Sequence, residues 1–208
     1  MAIFYIPFNQ QDAAEEFAGS GETLIENTGK TPAAWKLNLG IFKSFEERNI
    51  RVLYRDSPEN LSRAGVGTHI YITGHGEPGS LRITANDETG QPSLDPLDLA
   101  IQLQQRGLSK AFFGSIRLIT CGSGFGSESF AQQFSRAMGT LGYRLCSIYG
   151  YTQDVAIAAD LLQIREHPVM ANATKYSKLS GNAETGVVTG TTAKARRKFD
   201  QNKNPFNR

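Results

Sequence analysis

Two short segments of this chain carry residue types that could together break a peptide bond. The first is an apolar run, His-Ile-Tyr-Ile-Thr over His69–Thr73, that ends in Gly74-His75-Gly76. The second, Ser-Ile-Arg-Leu-Ile-Thr over residues 115–120, ends in Cys121 followed by Gly122-Ser123-Gly124. Each reads as a buried strand running into a glycine-rich loop that presents one reactive side chain. The thiolate is the nucleophilic form of cysteine, and a free thiol with a pKa of about 8.5 is mostly protonated at neutral pH. A nearby imidazole can draw off or balance that proton and later return one to a leaving amine. If the two strands are neighbours in a parallel sheet, both loops emerge at the carboxyl ends of the strands, where reactive groups of open α/β sheets collect. Gly76 has no side chain to obstruct a substrate backbone, and the amide hydrogens of Gly76 and Cys121 could point at a developing oxyanion.

The elements that must position these loops alternate along the chain. Strands are expected over Ala2–Ile6, Ile50–Tyr54, His69–Thr73, 115–120 and 143–149. Trp35, Leu39, Phe42 and Phe45 recur at helical spacing within a helix over residues 33–48. Further helices are expected over 95–106, closed by Gly107, and over about 127–141, and residues 79–84 suit a short hairpin arm. Strands alternating with helices argue for a mainly parallel sheet with helices on both faces. Beyond Gly150 the pattern is less regular: 155–164 fits a strand or a short helix, 180–192 reads as a loop, and 191–199 as a short helix. No internal repeat is found, and 208 residues suit a single domain over 1–208.

An apolar strand ending in His-Gly, followed some tens of residues later by an apolar strand ending in Cys, resembles the signature of the clan CD cysteine peptidases: caspases, gingipains, clostripain and the self-processing domains of large bacterial toxins. The likeness covers roughly residues 69–124, and Thr73-Gly74-His75-Gly76-Glu77-Pro78-Gly79-Ser80-Leu81 looks most like the toxin domains. The resemblance implies a caspase-like three-layer sandwich around a six-stranded sheet, a His75/Cys121 dyad, and cleavage through an acyl-thioester with no metal. It further implies a bacterial toxin or effector protease, acting on a protein substrate or on its own chain, and inositol hexakisphosphate as an activator bound in a basic cleft. The caspase Gln-Ala-Cys-x-Gly motif is absent, Thr120 standing before Cys121, so aspartate specificity is not implied. Glu77, Asp95 and Asp154 are the acids that could meet a basic substrate side chain.

The composition is that of an ordinary globular protein, with 39% hydrophobic and 20% charged residues. No apolar run reaches the roughly 20 residues a membrane helix needs, and no Sec signal is evident. The expectation is cytoplasmic residence, or secretion without a Sec signal followed by action in a host cytosol. Two cysteines are too few for a disulfide scaffold. Cys146, within an expected strand, reads as core; His69 reads as structural, and His167, before Pro168, as a loop residue. The spacing of His69, His75 and Cys121 matches no zinc pattern.

The net charge of +2 hides a basic C-terminal segment over about 191–208. There Lys194, Arg196, Arg197 and Lys198 form a candidate polyanion site, for a polyphosphate above all. A non-catalytic polyanion- or nucleotide-binding α/β module is the alternative. Its dinucleotide form rests on Gly122-Ser123-Gly124-Phe125-Gly126, in which the third glycine falls one position early. No helix-turn-helix, zinc-finger or aromatic RNA-binding signature is present, so nucleic acid is not an expected partner.

Overall fold

The computed structural model describes residues 2–9, 12, 50–85, 92–156, 179–182, 187–191, 195–199 and 201. The expected helix over 33–48, together with His167 and Lys194, lies outside them.

The described residues form an α/β structure around a six-stranded, mostly parallel sheet. Its strands are β1 (Ala2–Ile6), β2 (Ile50–Tyr54), β3 (His69–Thr73), β6 (Ser115–Ile119), β7 (Ser147–Tyr151) and β11 (Arg196–Phe199). The order across the sheet is β11-β7-β6-β3-β1-β2. All neighbours run parallel except β11, which closes the β7 edge antiparallel. Two smaller antiparallel sheets accompany it: β4 (Ile83–Thr84) with β5 (Ser93–Leu94), and β8 (Asp154–Ala156) with β9 (Leu179–Asn182) and β10 (Val187–Thr191).

Register and alternation sort the central strands into two unlike faces. Ile3 and Tyr5 of β1, Ile70 and Ile72 of β3, Ile116 and Leu118 of β6 and Ile148 of β7 share one face, and all are fully buried. Each contributes about 1.5–3 kcal/mol by leaving water. Helices α1 (Pro96–Gln105) and α2 (Phe130–Thr140) cover this face, burying Leu99, Ala100 and Leu103 from one and Phe130, Phe134 and Met138 from the other. Asp95 caps α1, its side chain accepting from the Asp98 N–H at 2.8 Å with Pro96 at the first helical position; Ser129 caps α2 in the same way. The buried Gln102 amide of α1 donates to the Tyr5 hydroxyl at 2.8 Å and the Pro7 carbonyl at 3.0 Å, tying the exit of β1 to the helix.

The other face is the more polar one, although Phe4, Ile6 and Ile119 are buried on it. His69, Tyr71 and Thr73 of β3, Ser115 and Arg117 of β6, and Ser147 and Tyr149 of β7 lie on it, with Arg196 and Lys198 at the β11 edge. Arg117 stacks over the rings of Tyr71 and Tyr149, 5.2 and 5.9 Å from their centres, and Arg196 over Tyr149 at 5.0 Å. His69 Nδ1 and Ser115 Oγ are 2.7 Å apart. Burial lowers the His69 pKa, and the Arg117 charge adds to that effect.

Three expectations are corrected. Residues 196–199 form strand β11, not part of a helix: pairing with β7 overrides the helical reading of a short charged run. Within 180–192, read as loop, β9 and β10 pair as antiparallel strands. The strand expected over 143–149 is displaced to Ser147–Tyr151 because Tyr143 is committed to the turn before it, its buried hydroxyl donating to the Leu108 carbonyl at 2.7 Å. Cys146 accordingly precedes the strand, yet it is buried as expected.

Candidate functional site

Strands β3 and β6 are parallel neighbours with Thr73 opposite Ile119. His75 and Cys121 each lie two residues past the last paired residues, in the loops that leave these neighbouring strands. Both residues are half-buried, and Cys121 is in no disulfide. The loops that carry the two residues, with Gly76, lie against each other at the carboxyl end of the sheet.

The loop bearing His75 is anchored through its backbone. His75 N–H donates to the Thr84 carbonyl at 2.9 Å and its own carbonyl accepts from Thr84 N–H at 3.0 Å. This bridge adds His75 to the β4–β5 pair, and of the arm expected over 79–84 only Ile83–Thr84 is strand. Behind the loop the Phe8 ring fills the space next to Gly74, where an added Cβ would lie 3.3 Å from Phe8 Cε2.

The two loops press together at two glycines. A Cβ on Gly76 would fall 2.5 Å from Thr120 Cγ2 and 3.3 Å from the Cys121 carbonyl oxygen. One on Gly122, whose φ is +60°, would fall 2.4 Å from Pro78 Cα. Real carbon atoms do not approach so closely, so glycine is required at both positions if the histidine and cysteine loops are to pack as they do.

The Cys121 turn is also tied down on its far side. Gly122 N–H donates to the Gln153 carbonyl at 3.2 Å, Ser123 N–H to Thr120 at 3.2 Å, Gly124 N–H to Tyr151 at 2.7 Å and Phe125 N–H to Gly122 at 2.9 Å. A dinucleotide-binding turn needs amides of this kind turned toward a phosphate. Here four successive ones are spent on protein carbonyls, and α2 begins only at Phe130.

The acids and bases singled out from the sequence are dispersed. Glu77 is exposed in the His75 loop, two residues past the imidazole. Asp95 is occupied in capping α1. Asp154 opens β8, next to the Gln153 whose carbonyl holds Gly122. The basic cluster is split by its strand conformation. Arg196 and Lys198 face the polar side with Arg117, whereas Arg197 lies on the other side, stacks on Phe199 at 5.2 Å and donates to the Gly126 carbonyl at 3.4 Å. Thr84, Pro78, Gln153 and Ser123 shape the site but were not evident in the sequence, because their parts depend on contacts between distant segments.

Among the described residues, no three His, Cys, Asp or Glu side chains gather as a metal site. No helix among them is long and apolar enough to cross a membrane.

The described residues thus define a mostly parallel α/β fold with a histidine and a cysteine in neighbouring loops at the carboxyl ends of its strands. The chain belongs to the family described as Domain of unknown function (DUF8616), whose profile matches residues 38–143, a span that contains both His75 and Cys121. Comparison with the curated proteins finds no match.

Proposed function

We propose that this chain is a cysteine endopeptidase of the caspase-like kind, with Cys121 as nucleophile and His75 as its proton-transfer partner. The observation that carries the reading is that β3 and β6 are parallel neighbours, so that the loops bearing the two residues leave adjacent strand ends. Cys121 Sγ attacks the scissile carbonyl while His75 takes up the thiol proton. The tetrahedral oxyanion is met by the backbone N–H groups of Gly76 and Cys121. Collapse expels the amine, protonated by His75, and leaves an acyl-thioester that water hydrolyses with His75 acting as base. The six-stranded sheet agrees in strand number with what the clan CD resemblance calls for. Glu77, beside the dyad, is the acid best placed to meet a basic substrate side chain.

The test is labelling of the native protein with a thiol-directed peptidyl electrophile, the adduct being located by mass spectrometry in wild type and His75→Ala. Fast labelling at Cys121 that collapses in His75→Ala is the expected result. Slow labelling, or labelling confined to Cys146, would overturn the assignment.

A polyphosphate activator of the inositol hexakisphosphate type belongs to the same proposal. Arg117, Arg196 and Lys198 share the polar face, with Tyr71 and Tyr149 between or beside the cations. Arg197 connects the same edge strand to the loop that follows Cys121. Excess inositol hexakisphosphate should raise the melting temperature, and an Arg196→Ala/Lys198→Ala variant should respond less. No rise in wild type removes the activator from the proposal while leaving the dyad untouched.

A further inference from the structure

The turn after Cys121 contains a side chain to which the peptidase chemistry gives no task. Ser123 is 2% exposed. Its Oγ donates to the Leu118 carbonyl at 2.9 Å and accepts from the Tyr151 N–H at 3.1 Å. Those two groups are partners that would otherwise bond each other. In the parallel β6–β7 ladder the first rung runs from Ser147 N–H to the Gly114 carbonyl, 2.9 Å. Advancing two residues along each strand places the next rung between Tyr149 and Ile116, and the third between Tyr151 N–H and the Leu118 carbonyl. Regular pairing of the two strands stops at Arg117 with Tyr149. The Ser123 hydroxyl therefore occupies the third rung, one oxygen atom inserted between donor and acceptor.

The same residue is held from three other directions. Its N–H donates to Thr120 at 3.2 Å, its carbonyl accepts from Ala131 N–H at 2.8 Å, and the following Gly124 N–H takes the Tyr151 carbonyl at 2.7 Å. One serine thus joins β6, β7 and the first turn of α2. We infer that Ser123 is a positioning residue for Cys121: its hydroxyl parts β6 from β7 at their carboxyl ends and fixes the turn in which the thiol is presented to His75. This inference rests on the reading of Cys121 as the nucleophile.

The experiment is alkylation of Cys121 by iodoacetamide across pH 5–9, quantified by mass spectrometry of the Cys121 peptide. Wild type, His75→Ala, Ser123→Ala and Ser123→Thr are compared, with the fold of each monitored by circular dichroism and thermal midpoint. Ser123→Ala should remain folded, lose about tenfold to a hundredfold in rate as expected of a displaced reactive group, and show a pH profile shifted toward that of His75→Ala. Ser123→Thr, which keeps the hydroxyl, should recover most of the rate. A folded Ser123→Ala with wild-type rate and profile overturns the inference, as does a Ser123→Ala that fails to fold, since the serine would then be a general stabiliser. The two readings fail differently. Wild type without His75-dependent alkylation of Cys121 sinks the peptidase reading and this one with it, whereas normal wild-type behaviour with an indifferent Ser123→Ala sinks this one alone.

Discussion

Cys121 and Cys146 are the same residue type, neither in a disulfide, beside adjacent strands of one sheet, and the structure treats them oppositely. Cys121 follows the carboxyl end of β6, half-buried, in a turn bounded by glycines. Cys146 precedes the amino end of β7, buried, where Gln201 donates to its sulfur at 3.1 Å. Burial raises the Cys146 pKa, and the Gln201 hydrogen bond offsets only part of that. The difference follows from strand direction. At the amino end the chain enters through a compact turn locked by the Tyr143 hydroxyl and the Ser147 N–H to Gly114 bond. At the carboxyl end β3, β6 and β7 deliver their loops side by side, and the thiol there lies in the loop next to the one that carries a histidine.

The sharpest way to break this comparison is to remove each sulfur in turn. Cys121→Ala should cut peptidyl-electrophile labelling and turnover by about 10³-fold or more, while Cys146→Ala leaves labelling at Cys121 unchanged. Equal losses from both variants would mean that the two thiols share a structural role.

Gly122→Ala comes next, since it adds a methyl 2.4 Å from Pro78 Cα at a φ of +60°. A residue forced into that region costs about 1–3 kcal/mol, and relief requires the two loops to separate. The urea midpoint and the labelling rate should fall together; an unchanged labelling rate would show that Cys121 does not depend on the loop contact.

Gly76→Ala should be milder, because its collision is with a side-chain methyl, Thr120 Cγ2. Thr120→Ser removes that methyl, so the double variant should recover part of the lost rate, with a coupling of about 1 kcal/mol in a double-mutant cycle. Strict additivity would place the defect elsewhere.

The smallest expected effect is on alkaline stability. With its pKa raised in the folded state, Cys146 keeps its proton to higher pH than the unfolded chain does. Unfolding therefore releases a proton once pH passes the ordinary thiol range, and stability falls as pH rises from there through the raised folded value. Buried Tyr5 and Tyr151 shift in the same direction. Cys146→Ala should therefore make the decline in urea midpoint between pH 8 and 10 shallower without abolishing it. An identical slope would contradict the burial of this thiol.

Strands β1, β2, β3 and β6 and both described helices were legible in the sequence to within a few residues, because their signals are local: apolar runs with clear stops, helical spacing of apolar residues, and the Gly107 stop. The placing of His75 and Cys121 in loops after neighbouring strands was legible for the same reason, each ending such a run. The β11 strand was not. Arg196, Arg197 and Lys198 look like a solvated helix face until β7 supplies the ladder, and charge of this kind is common on edge strands. Ser123 was invisible as anything but a spacer between glycines, since the rung it fills exists only once β7 lies beside β6.

Strand β1 lies inside the sheet, between β2 and β3, although it precedes both in the sequence. Ile3 and Tyr5 are buried on one side of it and Phe4 and Ile6 on the other. Its pairings, Ala2 with Ile50 and with His69, close long stretches of chain, and contacts of such separation form slowly. Until they close, the folding chain carries an apolar strand with both edges unpaired. Docking of β1 is thus the step at which self-association competes with folding, and the step at which a chaperone would have most to protect.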